Sequence, residues 1–138
     1  MINRYVLDAC ALVAYINDEI GSDMIERILN EAIANKALLS MGKVNLLEVY
    51  YGVFRDFGYE KANEVLDEIL SLPIQIISDL NDDVFKAAGR LKAENKISLA
   101  DSLALGLAIV TGDHLLTADH HEFDVLDGKD DIHFAWIR

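Results

Sequence analysis

The chain has 138 residues, 52% of them hydrophobic, a length that suits one domain with a real core and a composition that excludes disorder. The single cysteine, Cys10, excludes an internal disulfide, and no apolar run approaches the roughly 18 residues of a bilayer span, so a cytoplasmic setting without membrane attachment is expected. Twelve basic against 24 acidic residues leave a net charge of −12, which opposes any partner held mainly through its own phosphates but leaves open a cleft whose sign is reversed by bound cations.

In chain order, Arg4-Tyr5-Val6-Leu7 reads as a short buried strand, followed by a helical stretch over residues 9–18. Ser22 is placed to cap a second helix whose apolar residues Met24, Ile25, Ile28, Leu29, Ala32 and Ile33 recur at helical spacing. Residues 37–41 read as a strand, 43–55 as a helix, and 59–70 as another with Ala62, Val65, Leu66, Ile69 and Leu70 inward, stopped by Pro73. Ile74-Gln75-Ile76-Ile77 reads as the third strand, and residues 81–94 as a helix with Val84, Phe85, Ala88 and Leu91 inward. Residues 99–110, apolar nearly all round, suit a buried helix, and 114–117 and 132–137 suit the last two strands.

Short apolar strands alternating with helices predict a single-domain α/β fold: a three-layer α/β/α sandwich over residues 1–138 with a central, mainly parallel sheet of four to five strands. Such sheets bind ligands outside the carboxyl ends of their strands, which directs attention to the acids found there.

Asp8 directly follows the first strand, and Asp119 follows the fourth. Asp101 opens the most apolar helix. Each also has a local explanation, Asp8 and Asp119 as helix caps and Asp101 as the acid of a Ser98-x-x-Asp101 capping pattern. Glu48 lacks one, since it falls mid-helix within an apolar stripe drawn by Val44, Leu47 and Tyr51. If the four converge, each pair about 5 Å apart costs roughly 3 kcal/mol at an effective dielectric near 20. No lysine or arginine is adjacent to Asp8, Asp101 or Asp119 in sequence. Relief therefore comes from protons or from a hard dication such as Mg²⁺ or Mn²⁺, and the metal reading leads to phosphodiester hydrolysis without a side-chain nucleophile. In that reading Asp8 and Asp101 are direct ligands, Asp119 closes the site, and Glu48 binds a second ion or orients water.

Four segments together resemble the PIN-domain ribonucleases, particularly the VapC-type toxins of toxin–antitoxin pairs. They are Val6-Leu7-Asp8-Ala9-Cys10-Ala11-Leu12, Asn45-Leu46-Leu47-Glu48-Val49-Tyr50-Tyr51-Gly52, Ser98-Leu99-Ala100-Asp101-Ser102-Leu103-Ala104 and Leu116-Thr117-Ala118-Asp119 followed by Phe123. The resemblance implies a Mg²⁺- or Mn²⁺-dependent endoribonuclease acting on RNA, a homodimer, and a cognate antitoxin whose tail blocks the site. It assigns the acidic quartet to Asp8, Glu48, Asp101 and Asp119, with Thr117 beside the last. Two departures stand out. Cys10 replaces the Ser or Asn frequent two positions after the first acid, and Phe123 comes one residue later than usual, which leaves Asp124 as the alternative to Asp119.

Other chemistries fit less well. His114, His120 and His121 do not complete a tetrahedral zinc set, and Asp127, Asp130 and Asp131 around Gly128 miss the calcium-loop pattern and read as a solvated turn. No glycine spacing matches a nucleotide-binding loop. Lys86, Arg90, Lys92 and Lys96 read as a solvated helix face, whereas Lys43 and Arg55, flanking Glu48, are better placed for RNA. A non-catalytic module that binds a basic protein through its acidic surface, and a metal-dependent phosphatase for small substrates, are the competing functions.

Overall fold

A computed structural model describes residues 2–129 and 131–138; Asp130, one of the acids read as a turn, lies outside the described residues. Five strands, β1 (Asn3–Leu7), β2 (Ala37–Gly42), β3 (Ile74–Ile77), β4 (His114–Thr117) and β5 (Phe134–Trp136), form one sheet in the order β3-β2-β1-β4-β5. Every pairing is parallel, with Val6 opposite Ser40 on one side and Leu115 on the other. The helices are α1 (Ala9–Ile16), α2 (Ser22–Ile33), α3 (Lys43–Phe57), α4 (Tyr59–Leu70), α5 (Asp82–Glu94), α6 (Leu99–Thr111) and the single-turn α7 (His120–Phe123), which runs into a 3₁₀ turn at Asp124–Leu126. None of them is long and apolar enough to cross a membrane.

Consecutive residues of the central strands face opposite sides, and this separates the core into two layers. Leu7 and Leu116 pack with Leu12, Ile25, Ile28, Val49, Val65 and Ile69 from α1 to α4. Val6 and Leu115 pack with Val84, Leu91, Leu105, Phe123 and Leu126 on the other side. The result is the predicted three-layer α/β/α sandwich, and both faces of β1 and β4 are covered, which is why those strands read as unbroken apolar runs. In α6, Gly106 lets the helix come against α5 so closely that a Cβ there would lie 3.0 Å from the Ala88 nitrogen.

The last strand is shorter than the expected 132–137, and several residues expected to face inward do not. Ile33 and Leu70, the last residues of α2 and α4, are 69% and 56% exposed, and Phe85, in the first turn of α5, is 64% exposed. Ile69 and Val84, next to Leu70 and Phe85, are buried, so these residues fall on the outer side of a narrower inward face. Ser22 does not cap α2; it is the buried first residue of the helix, and Gly21 occupies the cap position with φ 101°. The close approach of the chain end dictates this entry, since a Cβ on Gly21 would sit 2.7 Å from the Ile137 carbonyl oxygen.

Sheet order determines where a ligand can enter. From β1 the chain winds outward through β2 to β3, then returns across α5 and α6 to place β4 on the other flank of β1. The reversal opens a crevice at the carboxyl ends of β1 and β4, the position where open α/β sheets bind ligands. Gly21→Ala combines a left-handed φ with a steric clash and should destabilise the fold by about 2 kcal/mol, lowering Tm by roughly 5–10 °C in thermal denaturation.

Candidate active site

Asp8 is the residue that β1 delivers into the crevice. It caps α1, its Oδ1 accepting the Ala11 N–H at 2.8 Å, and the residue is only 1% exposed. Its second oxygen, Oδ2, is buried with no hydrogen-bond partner. Capping and a site role therefore coexist, because the cap uses one carboxylate oxygen and leaves the other. Burial pushes the Asp8 carboxyl from 3.8 up to about 7, reinforced by the charges of Asp101 and Asp119 and opposed by the Thr117 hydroxyl and the Ala11 N–H.

Asp101 and Asp119 reach Asp8 from two other elements, and Glu48 joins them beside Asp101 and Asp119. Asp119 follows β4 and caps α7, its Oδ1 accepting the Glu122 N–H at 3.1 Å, while the buried Thr117 hydroxyl accepts the Asp119 N–H at 3.0 Å. Asp101 stands in the first turn of α6, where the Ser98 hydroxyl accepts its N–H at 3.1 Å. Burial raises its carboxyl to about 6, with Asp119, Glu122 and Glu48 adding repulsion. Glu48, on α3, is also raised, first by burial and then by Asp119, against the neighbouring Asn45 amide. The four expected acids thus share one electrostatic site, although Asp8 and Glu48 are 40 residues apart in the sequence.

The reason for singling out Glu48 needs correcting. Val44, Leu47 and Tyr51 do not form a packed stripe; they are 43%, 54% and 49% exposed, and α3 buries Asn45, Leu46 and Val49 instead. Glu48 lies at the margin of that buried face, half-buried and turned to the crevice. The apolar face of α3 is wide enough that hydropathy alone does not show which part meets the sheet.

Two residues of the site carry no distinct signal in the sequence. Asn45, 1% exposed, donates from Nδ2 to the Ala100 carbonyl at 3.1 Å, tying α3 to the first turn of α6 next to Asp101. Glu122, in the single turn of α7, adds to the charge around Asp101. Asp124, the alternative to Asp119, turns away: its Oδ1 is 2.7 Å from His120 Nδ1, and it adds no charge to Asp8, Asp101 or Glu48. His114 starts β4 and His120 follows its end, so the strand keeps these two histidines apart.

From Glu48 a groove of about 360 Å³ runs between α1 and α3, floored by Cys10, Val13, Ile16 and Val53 and reaching Arg55. Gly52 leaves it open, since nothing lies within 4 Å of a Cβ built there. Lys43 is not part of this groove; it lines a separate hollow with Ser78 and Leu80. Burial and the Asp8 charge push the Cys10 thiol up to about 11, so it is not a thiolate at neutral pH. Among the described residues, no group of three or more His, Cys, Asp or Glu side chains is arranged to hold a metal ion as the side chains stand. The donors present, all carboxylates with one unpaired buried oxygen, fit a hard cation that keeps several of its waters.

The family model described as PIN domain matches residues 5–129. The chain belongs to the PIN-domain family. No curated protein matches the sequence. Among solved structures, this PIN domain is similar to VapBC2 from Rickettsia felis bound to a promoter DNA fragment, at 24% identity and a TM-score of 0.76, covering 96% of this chain and 98% of that one. DNA-bound VapBC from Salmonella typhimurium gives 18% identity and a TM-score of 0.76 over 100% of both chains. VapC20 from Mycobacterium tuberculosis, a sarcin-ricin-loop-cleaving toxin, gives 13% identity and a TM-score of 0.65 over 93% of this chain and 98% of that one.

The raised carboxyls of this PIN domain make its stability pH-dependent. Folded Asp8 holds a proton up to about pH 7, whereas a carboxyl with its ordinary pKa of 3.8 has lost it. Between those values the folded state binds more protons, so stability falls as pH rises. With a chelator present, urea denaturation should show wild type less stable at pH 8 than at pH 5. Asp8→Asn should flatten that slope and exceed wild type at pH 8, by up to about 4 kcal/mol.

Proposed function

We propose that this protein is a Mg²⁺- or Mn²⁺-dependent endoribonuclease and the toxin of a toxin–antitoxin pair. The observation that carries the reading is the buried, unpaired Oδ2 of Asp8 within a crevice that also gathers Asp101, Asp119 and Glu48. A structural role would pair that oxygen, because an unsatisfied buried carboxylate costs several kcal/mol. A surface built to bind a basic protein would keep its acids in solvent, where their charge is cheap. Membership of the PIN-domain family and the likeness to a toxin that cleaves RNA support the same choice.

Asp8 and Asp101 would hold the ion directly, Asp119 would close its shell, and Glu48 would hold a second ion or orient the attacking water. When bound, the ion supplies a nucleophilic water at neutral pH and offsets charge developing on the phosphorus oxygens. The chain's own contribution is positional. Thr117 fixes the Asp119 backbone, Asn45 ties α3 to α6, and the protonated Cys10 thiol leaves attack to water. RNA reaches the acids along the crevice beside Arg55, and the antitoxin blocks the same groove between α1 and α3; the solved VapBC assemblies support such a partner. A second copy of the chain covers the exposed Val44, Leu47 and Tyr51 face, forming the homodimer.

Mn²⁺ titration should raise Tm through a saturable site, and Asp8→Asn should abolish that rise. The same variant should lose roughly 100-fold or more of metal-dependent RNA cleavage in a gel assay, beyond what an outer-shell change costs. Full cleavage by Asp8→Asn would refute the nuclease reading. Leu47→Asp should convert the dimer to a monomer in light scattering, because it places a charge in the centre of the contact.

A further inference from the structure

One part of the molecule beside the acids is not used by the chemistry above. Four rings form a ladder that climbs from the core to the surface. Phe123 is fully buried and packs on Phe134 with ring centroids 5.4 Å apart. Phe134 stacks on Trp136 at 4.9 Å, and Trp136 stacks on His120 at 3.9 Å with the planes within 11°. Hydrogen bonds hold the upper rungs in place: Trp136 Nε1 donates to Asp127 at 3.3 Å, and the two His120 ring nitrogens lie 2.7 Å from Asp124 Oδ1 and 2.8 Å from the Arg138 carbonyl oxygen.

This arrangement uses nearly all of the His120 ring. Both nitrogens face acceptors and one face lies on Trp136, so the ring has no edge left for a ligand. The side chain is nevertheless 47% exposed, and that exposure belongs to its outer face. A flat ring, held rigid by the core beneath it and open on one side, is what a single-stranded nucleobase stacks on. Directly after Asp119 in the chain, it opens α7, the helix that Asp119 caps beyond the carboxyl end of β4.

We propose that the outer face of His120 is a stacking plate for one nucleobase of the RNA strand, next to the phosphate held at the acids. The proposal rests on the nuclease reading and deepens it: the base adds a fifth rung to the ladder. Because every base has a π-face, the plate contributes affinity and register without selecting sequence. His120 is thus a positioning residue, and it takes no part in bond breaking.

The test uses a single-stranded oligoribonucleotide that the protein cleaves, carrying an abasic nucleotide at each position in turn. For wild type, one abasic position should raise KM roughly tenfold, the scale of one stacked base. His120→Ala should raise KM for the intact strand by a similar factor, with the loss carried by KM and not by kcat, and should be indifferent to that abasic position. His120→Phe, which keeps a ring but cannot bond Asp124 or Arg138, should retain the abasic signature. Thermal denaturation of each variant reports whether it is folded. If His120→Ala keeps the single-position penalty, or His120→Phe loses it as completely as Ala does, the plate is overturned and His120 only ties α7 to β5. Wild type that shows no metal-dependent RNA cleavage would instead remove the nuclease reading itself, and this proposal with it.

Discussion

The structure turns on a carboxylate held where it is least comfortable. Asp8 is driven out of water by the same geometry that builds the core: β1 is covered on both faces, and the residue after it has nowhere to go but the crevice beside β4. One oxygen finds the α1 amide, and the other finds nothing. Folding tolerates this because the proton is retained up to about pH 7.

Around that point the fold assigns each neighbouring element a part. β4 brings Asp119, with Thr117 to fix its backbone, α6 brings Asp101 in a turn capped by Ser98, and α3 brings Glu48 from the far side. These are separate segments whose arrangement depends on long-range packing, so the Asn45 link from α3 to Ala100 matters beyond its single hydrogen bond. It joins two of the four contributors directly, and it does so through a side chain nearly inaccessible to water.

The charge balance is consistent with this picture. A chain with a net charge of −12 opposes polyanions at long range, and the Arg55 guanidinium at the groove is a local exception to that sign. The ladder from Phe123 to His120 adds a flat aromatic surface built outward from the core.

The α/β/α order was readable from the residues because periodicity is a local property. Val6-Leu7 and Leu115-Leu116 announce strands covered on both faces, and the helix between Ser98 and Gly112 carries its own cap and stop. Asp8, Asp101 and Asp119 were also readable, since residues that follow strands or open helices are delivered to one end of a parallel sheet whatever the details. Tertiary packing decided the rest. It alone turned Val44, Leu47 and Tyr51 outward, left Ile33 and Phe85 in solvent, and made Gly21 the entry to α2 where Ser22 had the better local chemistry. It also gave Asp124 a partner in His120 and set Asp119 near Asp8, Asp101 and Glu48. Local sequence states what a segment prefers, but the direction a side chain faces depends on which other surface arrives first, and that surface comes from residues far away in the chain.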